Sequence, residues 1–178
     1  MEVFENRRSI RKYKSTPVNG ELINTLIKSA SLAPSGNNTQ PWHFIIVDDA
    51  GMKEKIALVS HNQQWMKSAP VFIICVADIR SRLADDEKIV LDEESSLFEL
   101  KQIIRDTAIS IEHLILEAVE QGLGTCWVAW YRQEELRPIL NIPGDKYVVG
   151  IVTVGYADEE PKPRPRKSIE DLIHRNQW

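Results

Sequence analysis

The chain has 178 residues, of which 43% are hydrophobic and 27% charged, and its formal net charge is −4. The length predicts one domain, residues 1–178, with enough apolar side chains for a substantial core. The acidic balance argues against a general nucleic-acid-binding protein, and no stretch approaches the roughly 18 apolar residues of a membrane span. No apolar signal segment opens the sequence, and Cys75 and Cys126 lie in apolar runs. We therefore expect a cytoplasmic protein with two reduced, buried thiols.

The first half of the chain is predicted to contain three helices and two strands. A short helix is expected over residues 2–9. A longer one is expected over 20–33, where apolar residues recur at helical spacing and a proline follows. Residues 42–47 and 71–77 are apolar runs of strand length, and the second is typical of a strand buried on both faces. A short helix near 52–58 lies between them.

The second half opens with a charged, weakly periodic segment, residues 80–97, which we interpret as a surface excursion. The helix that follows, about 100–121, is apolar nearly all round. This pattern is typical of a helix at the centre of a domain or in a subunit interface, and two glycines end it. A strand near 126–130, a helix over about 133–140 and a strand over 147–154 complete the predicted core.

Residues 156–178 form a basic tail with prolines at 161, 163 and 165, and a last short helix is predicted to end near Trp178. Because spaced prolines keep a chain extended, we expect this tail to lie as an arm across a partner and not on its own body. Before the tail, strands alternate with helices. The alternation favours an α+β or α/β sheet covered on both faces.

Positive charge is concentrated in two short windows at the two ends of this acidic chain. The segment RRSIR places three guanidinium groups and one hydroxyl within five residues, and KPRPRK adds cations near the C-terminus. Arginine binds phosphate bidentately with a charge that does not titrate. The windows form an anion site if folding joins them, and two solvated basic ends if it does not. The residues concerned are Arg7, Arg8, Ser9, Arg11, Lys162, Arg164, Arg166 and Lys167.

A loop of small polar residues, PSGNNTQPW at 34–42, connects the second helix to the first strand. Ser35, Asn38 and Gln40 offer donors and acceptors to a planar, polar-edged ligand. Gly36 allows close approach of the backbone. Proline, serine, glycine and asparagine also form ordinary turns, so a plain connection between helix and strand is the alternative interpretation.

The RRSIR segment and the PSGNNTQPW loop together resemble the flavin-dependent nitroreductase family, and the resemblance extends from residue 3 to about residue 173. It implies an α+β, three-layer fold in which a mixed, mostly antiparallel sheet is wrapped by helices in an intertwined homodimer. It also implies FMN as the cofactor and NADH or NADPH as the hydride donor. The acceptor would be a nitroaromatic, a quinone or a similar electron-poor small molecule, reduced by ping-pong hydride transfer.

The resemblance assigns roles to the basic residues at both ends of the chain. Arg7, Arg8 and Ser9 would hold the ribityl chain and phosphate of FMN, and Arg11 would reach the N1/C2=O edge of its ring. A positive charge at that edge stabilises the charge that reduction places there. Arg164 and Arg166 match a basic C-terminal element whose last arginine reaches the phosphate.

Two further segments are assigned to the flavin by the same resemblance. The loop residues Ser35, Gly36, Asn38 and Gln40 would contact the flavin bound mainly to the other subunit. In GLGTCWVAW, residues 122–130, backbone amides would face the flavin N5 and O4, and an ordinary core strand is the alternative. The residues nominated there are Trp127, Val128 and Ala129. Gln64, in a polar link at 61–64, is a further candidate whose register the sequence does not determine.

No catalytic side chain and no metal site is predicted, because the cofactor carries the hydride chemistry and the four histidines are dispersed without metal-ligand spacing. The acidic runs 85–87 and 92–94 are interpreted as solvated charge. We expect no nucleic-acid and no membrane partner. Three alternatives stay open: a non-enzymatic FMN storage or sensor protein, a specialised flavin-destroying, deiodinating or azoline-oxidising family member, and a weak nucleic-acid binder that uses the basic ends.

Overall fold

Four antiparallel strands form the sheet on which the rest of the protein is built. The computed structural model describes residues 2–84 and 88–178, so the acidic run 85–87 lies outside the described residues. Neighbouring strands are antiparallel throughout, in the spatial order β1-β2-β4-β3. The strands are β1 (Trp42–Val47), β2 (Val71–Asp78), β3 (Gly124–Val128) and β4 (Lys146–Gly155). They confirm the strands predicted from apolar runs, except that β3 begins and ends slightly earlier than expected.

Helices cover both faces of the sheet. The described α-helices are α1 (Glu2–Asn6), α2 (Gly20–Ser31), α3 (Ala50–Val59), α4 (Phe98–Glu120) and α5 (Gln133–Ile139). Side chains fix two of the starts, because Asn19 accepts from the Glu21 N–H and Asp49 accepts from the Met52 N–H. Within residues 2–84 and 88–178, no helix combines the length and the apolar character needed to cross a bilayer.

Strand β2 separates two apolar clusters, which explains why its sequence shows no alternation. Ile73, Cys75 and Ala77 face one cluster, together with α2 and α4. Phe72, Ile74 and Val76 face the other, which contains residues of α3 and α5. Successive side chains of a strand point to opposite faces, so a strand that is buried on both faces must be apolar at every position. The expected α+β arrangement, with helices on both sides of a sheet, is confirmed.

Two predicted elements differ from the structure at the ends of the chain. The first helix ends at Asn6, and the following residues run beside β3, where Ser9 forms an isolated parallel bridge with Thr125. The predicted C-terminal helix is wrong. The tail forms only a turn there, in which the Leu172 N–H donates to the Ile169 carbonyl at 3.1 Å, and residues 162–178 are exposed. A short helix needs an apolar face packed on something, and the tail has no such support within its own chain.

We predict that Gly150→Ala destabilises the protein by about 1–3 kcal/mol, because overpacking forces neighbouring atoms to move. A Cβ at Gly150 on β4 would lie 2.3 Å from Nε1 of Trp127, whose indole crosses that position. Gly20→Ala is the matched control, because its Cβ would have no heavy atom within 4 Å. Urea unfolding followed by circular dichroism measures both variants. Equal stability of the two would contradict this account of the contact.

Candidate functional site

The arginine-rich segment is attached to the outer edge of the sheet. After α1 the chain turns and runs along β3, and the Ile10 N–H donates to the Thr125 carbonyl at 2.9 Å. The Ile10 side chain is buried against β3 because Gly124 has no Cβ; a Cβ there would lie 2.7 Å from Cγ1 of Ile10. Ile10 therefore anchors the segment, and the arginines on either side of it are carried to the sheet edge.

The two basic windows meet on one cavity of about 700 Å³. Six cationic side chains line this cavity, which we call the basic cavity, and Glu5 is the carboxylate among its lining residues. Such an excess of fixed positive charge attracts an anion. The cationic residues are Arg7, Arg8, Arg11, Lys162, Arg164 and Arg166, with Ser9 beside them.

A second cavity of about 680 Å³ adjoins the basic cavity and extends it toward the start of β3. Both are lined by Arg8 and by tail residues 161–163, and the second also by residues 122–124. The dianionic phosphate of FMN fits the charge of the basic cavity, and guanidinium groups are suited to bind it bidentately. The residues present are therefore compatible with FMN.

Arg8 also has a local role at the end of α1. Its Nη1 donates to the carbonyls of Glu5 and Arg7 at 2.6 and 2.8 Å, and so satisfies carbonyls that a helix end leaves without intrahelical partners. Both bonds use a single nitrogen of a guanidinium that carries five N–H donors. Arg8 is therefore held in place by the helix end and has further donors for an anion.

Arg11 points from the basic cavity toward a tryptophan. Its guanidinium carbon lies 5.8 Å from the centre of the Trp65 ring, within the range of a cation–π contact. The backbone N–H groups of Arg11 and Lys12 both donate to the Glu159 carboxylate. Burial raises the pKa of the nearby Cys126 thiol, while the charge of Arg11 and a hydrogen bond from Ser9 act to lower it. Arg11 is thus fixed between the basic cavity and β3.

The outer edge of β3, opposite β4, is joined to the N-terminal segment at Thr125. Because the Thr125 carbonyl faces Ile10 and peptide groups alternate along an antiparallel strand, the Trp127 amide faces the same outer edge. The Val128 amide faces β4, since Val128 pairs with Ile151 there. Ala129 follows the end of the strand and is exposed. Of the three nominated amides, that of Val128 is thus directed into the sheet.

The loop that carries Ser35, Gly36, Asn38 and Gln40 lies on a different surface. It forms a 3-10 turn over Gly36–Asn38, closed by a hydrogen bond from the Gln40 N–H to Ser35 Oγ at 2.9 Å. Gly36 lines an open groove of about 960 Å³ along α4 and not the basic cavity. Phe4 lines both. Within one chain, the groove that Gly36 lines is therefore a different cavity from the one that Arg7, Arg8 and Arg11 line.

The group that approaches the backbone of Gly36 is a side chain of the protein itself. A Cβ at Gly36 would lie 2.6 Å from Nη2 of Arg82. Arg82 also pairs with Asp106 of α4 at 2.9 Å. Sequence reasoning missed both residues, because they are far apart along the chain and belong to no motif.

The polar link at 61–64 lies beside two ring contacts. His61 stacks on Trp130 with ring centres 3.9 Å apart, and Trp65 follows the link and lies under Arg11. The Gln64 amide donates to Asn62 within the link itself. The contact of Trp65 with Arg11 had no signal in the sequence. No group of metal-ligating side chains suited to a metal ion occurs in residues 2–84 and 88–178.

Comparison with known proteins gives consistent results. The model of the Nitroreductase family matches residues 4–156. A relative from Archaeoglobus fulgidus, provisionally named NADH dehydrogenase/NAD(P)H nitroreductase, is 30% identical over 100% of this chain and 98% of its own. An FMN reductase (NADPH) of Bacillus subtilis is 26% identical over 100% of this chain and 74% of its own. The structure of an FMN-dependent nitroreductase from Clostridium difficile superposes with a TM-score of 0.81 at 28% identity, covering 99% of this chain and 98% of that one.

Proposed function

The chain belongs to the nitroreductase family, and we propose that it reduces nitroaromatics, quinones or similar electron-poor acceptors. It is an FMN-dependent oxidoreductase that uses NADH or NADPH. The observation that carries the proposal is the meeting of the N-terminal and C-terminal basic windows on one cavity of about 700 Å³. A phosphorylated cofactor accounts for this concentration of cations, because guanidinium groups bind phosphate strongly and bidentately.

We propose that the basic cavity binds the phosphate end of the cofactor. Arg7, Arg8, Arg164 and Arg166 supply permanent charges from both ends of the chain, and the Ser9 hydroxyl supplies a further donor. Two segments so distant in sequence come together only in the folded chain. Phosphate binding would therefore also hold the tail against residues 7–9.

The ring of the cofactor would lie toward β3, between Arg11 and the outer edge of the strand, on the side of the Trp127 amide. When bound, FMN supplies the hydride chemistry, first accepting from NAD(P)H and then giving to the acceptor in the same pocket, in ping-pong order. Arg11 would place a cation at the ring edge, and the amides of Trp127 and Ala129 would offer donors there. No side chain of the described residues is proposed as an acid or base.

We also propose a homodimer in which each tail covers the partner. The exposed apolar side chains include Phe4, Leu32 and Ile109 around α4, and Ile169, Leu172 and Ile173 in the tail. In a two-fold dimer each set can cover the other reciprocally. The loop Ser35, Gly36, Asn38 and Gln40 would then face the cofactor of the partner, which explains why it lies away from the arginines of its own chain.

The whole chain, residues 1–178, would then act as one FMN-binding domain with an exchanged arm at 156–178. Cys75 and Cys126 are buried free thiols, so we propose a reducing compartment, the cytoplasm, as the place where it works. The direct test of function is an absorbance spectrum of the purified protein, followed by anaerobic NADPH and then a nitroaromatic. Yellow protein that neither NADPH nor NADH bleaches would contradict the enzymatic function and favour FMN storage.

We predict that the protein binds about one FMN per chain and that Arg166→Ala weakens this binding by roughly 1.5–3 kcal/mol, the scale of a hydrogen bond to a charged group. Arg132→Ala is the control, because Arg132 is exposed, pairs with Glu134 on the surface and does not line the basic cavity. Fluorescence titration of apoprotein with FMN measures both. Equal dissociation constants for the two variants would exclude Arg166 from the phosphate site.

We predict that Arg11→Ala slows reduction by NADPH more than it weakens FMN binding, because its charge would act on the ring and not on the phosphate. Arg166→Ala should show the reverse, since the phosphate charge is unchanged by reduction. Stopped-flow bleaching of FMN-saturated variants separates the two roles. Reduction of Arg11→Ala at the parent rate would remove Arg11 from the ring.

We predict an obligate dimer at micromolar concentration. Ile109→Glu should weaken it more than about tenfold in Kd, because an unpaired carboxylate would be buried in an apolar contact. Ile109 is 42% exposed in the single chain, and the control Leu58→Glu alters a 61% exposed residue on α3, across the sheet. Sedimentation velocity measures the equilibrium. A folded parent monomer at micromolar concentration would contradict the dimer.

A further inference from the structure

A closed ring of polar contacts joins the loop after α2, the segment after β2 and the middle of α4. The Asp106 Oδ2 accepts from the Gly36 N–H at 3.2 Å and from Arg82 Nη2 at 2.9 Å. The same Arg82 nitrogen donates to the Gly36 carbonyl at 3.3 Å. Both backbone polar groups of Gly36 are therefore held by one ion pair, which we call the Asp106 brace.

The Asp106 brace is better shielded from water than the surface ion pairs of the protein. The side chains of Arg82 and Asp106 are 12% and 13% exposed, whereas those of Arg132 and Glu134 are 64% and 68% exposed. Charge-assisted hydrogen bonds gain strength as water is excluded. Removing the carboxylate would also leave the Arg82 guanidinium without its partner. Loss of the brace is therefore expected to release the Gly36 backbone that it holds.

The backbone of the loop has an unusual conformation. Asn37, Asn38 and Gln40 have φ values of 54°, 55° and 46°, in the left-handed region that asparagine tolerates and glutamine rarely adopts. Local hydrogen bonds, such as that from the Gln40 N–H to Ser35 Oγ, close the loop on itself. They do not fix its orientation relative to the rest of the fold. Asp106 contributes to that orientation, because it links Gly36 to the 23-residue helix α4.

We propose that Asp106 is the positioning residue that sets the Ser35–Gln40 loop for contact with the cofactor, acting through Gly36 and Arg82. The inference rests on the proposed function, in which this loop faces the FMN of the partner. In this role Asp106 acts on the loop and not on the cofactor. It presents the loop's hydroxyl and amide groups in one arrangement, so that binding does not have to order them. Gly36 is required here because a Cβ would displace the Arg82 guanidinium.

The test compares Asp106→Asn with Glu112→Gln. Both remove one negative charge from α4 and both positions line the same groove, but only Asp106 contacts Gly36. In the FMN-free protein, hydrogen–deuterium exchange of a peptide covering residues 34–42 should be at least about fivefold faster in Asp106→Asn and unchanged in Glu112→Gln. With FMN, the dissociation constant of Asp106→Asn should rise about tenfold or more. The visible circular dichroism of its saturated cofactor should also differ from that of the parent.

Arg82→Lys provides a second variant in case Asp106→Asn folds poorly. Lysine keeps a positive charge beside Asp106, but its flexible ammonium replaces the fixed Nη2 that contacts both Asp106 and the Gly36 carbonyl, so an intermediate increase in exchange is expected. Unchanged exchange in both variants overturns the brace. Faster exchange with parent-like FMN affinity and dichroism overturns the positioning role, while the proposed function stands. A parent that binds no FMN overturns both.

Discussion

The hydrogen bond from the Ile10 N–H to the Thr125 carbonyl connects the N-terminal segment to the sheet, and the candidate site depends on this attachment. Burial of Ile10 above Gly124 holds the segment at one height along β3. The side chains around Ile10 then lie at the sheet edge, where Arg7, Arg8 and Arg11 line one cavity with the tail. Farther along, the Lys14 N–H donates to the Tyr156 carbonyl, so the start of the tail is attached to the same segment.

Convergence of six cations has an energetic consequence for the protein. Like charges at short range repel, and without an anion the basic cavity opposes the approach of the tail to residues 7–11. The carboxylates nearest to the segment compensate only in part: Glu159 binds backbone N–H groups, and Asp158 pairs with Lys12. A bound dianion would remove the repulsion, so occupancy of the cavity and attachment of the tail are expected to support each other.

The sequence allowed the sheet and its coverings to be predicted because buried elements are apolar, as runs in the strands and as a wide face in the helices. Strand β1 and the long helix α4 lie close to where their apolar residues placed them. The arginine windows could be recognised as candidates, since few other functions need that residue type at that density. Contacts between distant side chains leave no such pattern. The Asp106 brace joins residues from three segments. The contact of Arg11 with the Trp65 ring likewise joins two segments that are far apart in the sequence.

Local propensity was also a poor guide at both chain ends. Residues 7–9 were predicted to continue the first helix. They do not, because Ser9 and Ile10 pair with Thr125 of β3. In the tail, Ile169 and Leu172 have helical spacing but are exposed in the single chain. Propensity decides a conformation only where tertiary contacts are neutral. Here one end has strong contacts within the chain, and the other would find them on a partner.

One chain therefore carries the two parts of the proposed site on separate surfaces: cations on the basic cavity, and a braced polar loop on the α4 groove. If the homodimer forms as proposed, each cofactor would contact both chains. Binding of the cofactor would then also stabilise the association of the two subunits. At a concentration one hundred times Kd, a ligand of the assembled form stabilises it by about 2.7 kcal/mol. Loss of the cofactor would then loosen the dimer, and dissociation of the dimer would release the cofactor. Neither process could be altered by mutation without changing the other.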